Sequence, residues 1–152
     1  MKKLILIAIV ALSASAPAMA DKWLLIDAAY DLSNVQFLNI SSLRGNGAIR
    51  TAWLARISTS EKNIWDRSFI KIKVDCDAVS FQALSYYELK DMKALATNNN
   101  ASEVVYPPPG SLGEQWVTTA CSPIDKSKLI EAIDAQFLRE DALAFVKSLE
   151  DN

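Results

Sequence analysis

Residues 69–76 read FIKIKVDC, with Ile70, Ile72, Val74 and Cys76 alternating against Phe69, Lys71, Lys73 and Asp75. Side chains of a strand point to its two faces in turn, so this period of two specifies a half-buried antiparallel strand. Working backwards, Arg44-Gly45-Asn46-Gly47 separates an apolar run over 35–43 from another over 48–58. Asn-Gly tolerates the positive φ of a tight turn, and the pair predicts a hairpin. Its return strand puts Ile49, Thr51, Trp53, Ala55 and Ile57 on one face and Arg50, Ala52, Leu54 and Arg56 on the other. Residues 23–26 form a further short run of strand type, ended by Asp27.

Working forwards, the Asp77-Ala78 break predicts another hairpin into a strand over 79–89. Asn98-Asn99-Asn100 marks a turn, and residues 103–106 can form a last short strand. The stretch YPPPGSLGEQWVTTAC, residues 106–121, then leaves the sheet. Proline donates no ladder hydrogen bond, so the strand stops at the proline arm. Ser111-Leu112-Gly113-Glu114 fits a capping box and predicts a short helix running toward Cys121. The stretch is not a nucleophile elbow, which needs G-x-S-x-G, because Gly110 directly precedes Ser111. A phosphate cradle would need more glycines and a lysine.

Ser122-Pro123-Ile124-Asp125 has the form of a helix start, with a capping hydroxyl, a proline at the first position and an acid in the first turn. Ile130, Ile133, Phe137, Leu138, Ala142, Phe145, Val146 and Leu149 follow at helical spacing. The expectation is a C-terminal helix over 123–150, packed by its apolar stripe on one face of the sheet. The fold class read from these elements is α+β, an antiparallel sheet of about five to six strands with that helix against it.

Residues 1–20 carry Lys2 and Lys3, an apolar run over 4–12 and an ending Ala18-Met19-Ala20. That is the pattern of a secretory signal peptide cleaved before Asp21. The apolar run is too short for a membrane span, which takes roughly 20 apolar residues. Residues 21–152 then read as a single exported domain without a transmembrane segment. Removing Lys2 and Lys3 from the 16 basic residues leaves 14 against 18 acidic ones, a net charge of −4. An acidic surface argues against a nucleic-acid partner. Cys76 and Cys121 are the whole cysteine complement, and an even pair in an oxidising compartment predicts one disulfide.

Several of these pieces together resemble the surface-adhesin protein E family of small exported bacterial proteins. They are the mature start with Trp23, the Ala52-Trp53 strand, the strand ending Val74-Asp75-Cys76, the following strand over 80–87, and Pro109-Gly110-Ser111 ahead of Cys121. The resemblance spans about 22–122. It implies an antiparallel sheet with a packed helix and one disulfide, and binding of host matrix and serum proteins at the cell surface. The adhesin is a lipoprotein; here Asp21 rather than cysteine follows the signal, so no lipid anchor is expected at the N-terminus. The matched motifs are structural and carry no ligand-binding residue with them.

The sequence holds no histidine, which removes the commonest general base and metal ligand. Asp75 and Asp77 stand at i, i+2, the spacing of a glycosidase pair or part of a calcium site, but equally of solvated acids at a hairpin end. No catalytic, cofactor or metal residue is assigned, and the chain is not expected to be an enzyme. A basic constellation remains: Arg50 and Arg56 share one strand face, and Lys71 and Lys73 share another beside Phe69. With those faces aligned they would form a partner-binding patch for acidic groups; the other reading is the water-facing side of a half-buried sheet. The expected function is an adhesin-like binding module of the bacterial envelope that recognises a protein partner. The alternative is a periplasmic accessory or structural protein that meets only other envelope components. Location follows accordingly, in the periplasm or at the cell surface. The oligomeric state is not legible.

Overall fold

The computed structural model of the protein describes residues 21–28, 34–60, 64, 66–91, 93–125, 129–132, 140, 142–144 and 147–148. The strands are β1 (Asp21–Ala28), β2 (Asn34–Arg44), β3 (Ile49–Ser58), β4 (Arg67–Asp75), β5 (Ser80–Lys90), β6 (Lys93–Asn98) and β7 (Leu129–Ala132), and one helix, α1 (Leu112–Cys121), precedes β7. They form one seven-stranded sheet in the order β6-β5-β4-β3-β2-β1-β7. Every pairing is antiparallel. The first six strands are a plain meander, and β7 returns to the free edge of β1.

Local chemistry explains the hairpins. Between β2 and β3, Gly45 and Gly47 both take positive φ, 95° and 70°. A Cβ at Gly45 would collide with the Ile49 carbonyl oxygen, so this position has room only for glycine. At the β4–β5 turn the Asp75 carboxylate accepts from the backbone N–H of Asp77 and Ala78 at 3.1 and 3.0 Å. It takes the place of a backbone acceptor there, the usual task of aspartate in a turn.

Both faces of the sheet are covered, each by different means. On one face Leu24, Leu38, Ala52, Leu54, Ile72 and Val74 pack with Val117 and Ala120 of α1. On the opposite face Trp23, Val35, Phe37, Ala55, Ile57 and Phe69 pack with Ala142, which lies in helical residues 142–144. The capping box forms as expected: Ser111 Oγ accepts from the Glu114 N–H at 3.3 Å, and the Glu114 carboxylate accepts from the Gly110 N–H. Gly113 lets the helix start close to the sheet, since a Cβ there would stand 2.8 Å from the Phe81 ring and 3.0 Å from Pro107.

The disulfide joins Cys76, just past β4, to Cys121 at the end of α1, with Cα atoms 5.7 Å apart. Two other contacts pin the same helix: Trp116 Nε1 donates to Gln36 Oε1 at 2.9 Å, and the Trp116 ring meets Phe81 edge-on at 5.3 Å.

Three expectations are corrected. The sheet has seven strands rather than five or six. One of the additions is β6, whose polar, Ala-rich sequence lacks an apolar alternation and which forms by pairing along β5. The stretch over 103–106 contributes only an isolated bridge between Val105 and Phe81. The third correction concerns the C-terminus. Ser122 closes α1, its N–H donating to the Thr118 carbonyl at 2.9 Å, and opens no helix. Leu129–Ala132 is strand, because the unpaired edge of β1 offers these residues a complete set of ladder hydrogen bonds. Most of the remaining expected helix lies outside the described residues.

Candidate binding face

β3 and β4 are neighbours with the register Arg50↔Val74, Thr51↔Lys73, Trp53↔Lys71 and Arg56↔Ser68. Directly paired residues share a face, so Arg50 and Arg56 lie on the α1 side and Lys71 and Lys73 on the opposite one. The four cations therefore do not form one patch. A single residue of register decides this.

Arg50 serves the scaffold. Arg50 donates from a terminal guanidinium nitrogen to the Ala120 carbonyl at 2.7 Å, satisfying an acceptor in the last turn of α1 where a cation also suits the helix dipole. Arg56 is half-buried on the same side. Lys71 and Lys73 are exposed and stand about 7 Å apart along the strand. The Lys71 ammonium lies 6.0 Å from the centroid of the Trp53 ring, within reach of a cation–π attraction.

On the lysine side the described residues form two concave regions. One, of about 190 Å³, is lined by Ile49, Lys73, Asp75, Gln82, Val104 and Tyr106, among others. Ile49, Val104 and Tyr106 are 43%, 52% and 70% exposed, an apolar rim around Lys73. The other is lined by Asp21, Trp23, Asn39, Trp53, Phe69 and Tyr87. There the rings contact in series: Trp23 tilts against Phe69 at 6.2 Å, Phe69 stacks on Tyr87 at 5.0 Å, and Tyr87 meets Trp53 edge-on at 5.9 Å. Burial pushes the Tyr87 hydroxyl above its ordinary pKa of 10.0, so it remains a neutral donor at physiological pH.

Asp75 and Asp77 do not converge on a site, since Asp75 is occupied in the turn. Among the described residues no group of three His, Cys, Asp or Glu side chains could hold a metal ion. No helix among them is long and apolar enough to cross a membrane. Comparison with protein-family profiles, curated proteins and solved structures finds no match to this chain.

Sequence reasoning placed the lysines and the strand faces but missed the aromatic row and the apolar rim. Trp53 was legible as a face partner of Thr51 and Ala55. Its meeting with Tyr87 needed the register of β3 on β4 and of β4 on β5, including the irregularity between Lys71 and Ile72.

Proposed function

We propose that this chain is an exported, non-enzymatic binding module of the bacterial envelope that recognises a protein partner in the manner of an adhesin. The observation that carries the reading is the open part of the sheet face opposite α1. Two exposed lysines stand there beside a cleft rimmed by Ile49, Val104 and Tyr106. An exposed apolar rim of this kind fits a docking surface better than a solvated sheet. An apolar anchor held in the cleft, with carboxylates facing Lys71 and Lys73, would be complementary to it. The resemblance to the surface-adhesin protein E family, carried by Trp23, Ala52-Trp53, Val74-Asp75-Cys76 and Pro109-Gly110-Ser111, supports the same reading.

The test is capture from envelope extracts and from host serum, with the exported protein and its Lys71→Glu/Lys73→Glu/Tyr106→Ala variant as baits. All three side chains are exposed, so the variant keeps its melting temperature within a few degrees. The unmodified protein retains a partner, more weakly as salt rises, and the variant loses it. A folded variant that holds the partner with unchanged affinity overturns the assignment of this face. Protease treatment of intact cells separates surface display, where the protein is cut, from a periplasmic accessory role, where it is protected.

A further inference from the structure

The second concave region has a composition that the protein-docking reading does not use. Trp23, Asn39, Trp53 and Lys71 are directly paired across β1, β2, β3 and β4, so they form one row across the sheet face. Asp21, two residues before Trp23, lies on the same face, and Phe69 and Tyr87 close the cleft from the neighbouring row. Its volume of about 190 Å³ is below the range of drug-sized pockets and suits a single ring.

Its polar groups are held in place yet incompletely used. Asn39 is 5% exposed; its Oδ1 accepts from the Ser42 N–H at 2.9 Å and its Nδ2 donates to Asp21 Oδ2 at 3.2 Å. That arrangement fixes the carboxamide and leaves the other Asp21 oxygen pointing no bond inward to the protein. Trp23 is 1% exposed, and its indole N–H finds no acceptor among the described residues. A buried donor without a partner is uncommon in a native fold and calls for an explanation, and Trp23 belongs to the lining of the cleft, where an arriving acceptor would supply one.

These features select a ligand class. Lys71, outside the lining but with its ammonium 6.0 Å from the Trp53 centroid, disfavours an organic cation, and the Asp21 carboxylate in the lining disfavours an anion. A purely aliphatic group would leave the second Asp21 oxygen and the Trp23 N–H unsatisfied. A ring with an apolar face and a rim of hydroxyls that both donate and accept satisfies all of them. We propose that this cleft binds one neutral pyranose ring of a glycan. The sugar lays its C–H face on Trp53, donates a hydroxyl hydrogen to Asp21 and accepts from Trp23 Nε1 through a second hydroxyl. The site shares the open face with the docking surface proposed above but does not depend on a protein partner.

The experiment uses the exported protein, labelled with ¹⁵N, and follows the indole N–H signals of its four tryptophans. Chitotriose, cellotriose and maltotriose are added up to about 20 mM, the range of a weak single-ring site. Tetramethylammonium chloride and glucuronate are the charged comparisons. At least one neutral trisaccharide shifts the Trp23 and Trp53 signals saturably, while Trp116, bonded to Gln36 on the other face, does not move. Trp53→Ala and Asp21→Asn each weaken binding by about tenfold or more, as expected for loss of one good contact. Asp21→Asn changes a single oxygen and keeps the test valid if Trp53→Ala fails to fold. The proposal is overturned if no neutral sugar gives a saturable shift, if a charged comparison binds instead, or if folded Asp21→Asn binds as well as the original. Loss of the protein partner in the capture test above leaves this outcome unaffected, because no partner is present.

Discussion

Replacing Cys76 and Cys121 together by alanine releases a cross-link between positions 45 apart, a loop that contains β5, β6 and α1. In the chain-entropy account the unfolded chain regains about 4 kcal/mol of freedom for a loop of that length. The folded state loses little, because other contacts hold the same corner. Arg50 still bonds the Ala120 carbonyl, the residue 76 N–H still donates to the Ala48 carbonyl at 2.7 Å, and Trp116 still bonds Gln36. Residues 21–152 number 152 − 20 = 132. With an unfolding entropy of about 2.1 cal/mol/K for each residue, the loss lowers the melting temperature by about 15 °C. Thermal and urea unfolding followed by circular dichroism measure it. The urea dependence should also steepen, since the uncrosslinked chain exposes more surface when unfolded. A loss below about 1 kcal/mol would refute the entropic argument by showing that the reduced unfolded chain keeps the loop closed. A variant with no cooperative transition would refute the other half, showing that the bond itself docks α1.

Two further predictions rest on buried polar groups. Asp66 and Arg67, each 6% exposed at the side chain, form an ion pair at 2.9 Å at the start of β4, and the Asp66 carboxylate also accepts from the Asp91 N–H at 2.8 Å. Asp66→Asn replaces the carboxylate that bonds both the Arg67 guanidinium and the Asp91 N–H by a neutral amide and should cost roughly 1.5–3 kcal/mol in urea unfolding; a cost below about 0.5 kcal/mol would mean that these charge-assisted bonds do not hold the start of β4. Tyr87 has its pKa raised by burial, so the unfolded state ionises first. The resulting stabilisation is fully present below pH 10 and is lost as pH rises through the higher folded value. The stability difference between the protein and Tyr87→Phe should therefore be constant from pH 7 to about 9 and change above 10, and a flat difference up to pH 11 would show that the ring titrates as in water.

Much of the scaffold was legible because its signals are local. The Asn46-Gly47 turn, the alternation over 69–76 and the Ser111 to Glu114 capping box each depend on a few adjacent residues, and each appears where those residues place it. Cys76 and Cys121, the only two cysteines of the sequence, are joined as their number suggested. The C-terminal reading failed at Leu129–Ala132 for the opposite reason. Ile130 and Ile133 fit a helical stripe, but a strand there completes the hydrogen bonding of β1, a partner more than a hundred residues away.

What the sequence determined by itself was the content of each strand face: Arg50 with Arg56, Lys71 with Lys73, Trp53 with Ala55. Period two is a property of one chain segment and needs no neighbour. Which of those faces coincide was decided only by the tertiary register. With Arg50 opposite Val74 and Trp53 opposite Lys71, Arg50 braces α1 while the lysines join Trp53 on the other side. A shift of one residue between β3 and β4 would have gathered the four cations instead, at the cost of turning the apolar row of β4 away from α1. Burial of Ile72 and Val74 against the helix forbids that shift, and so the packing of the core on one side sets the chemistry displayed on the other.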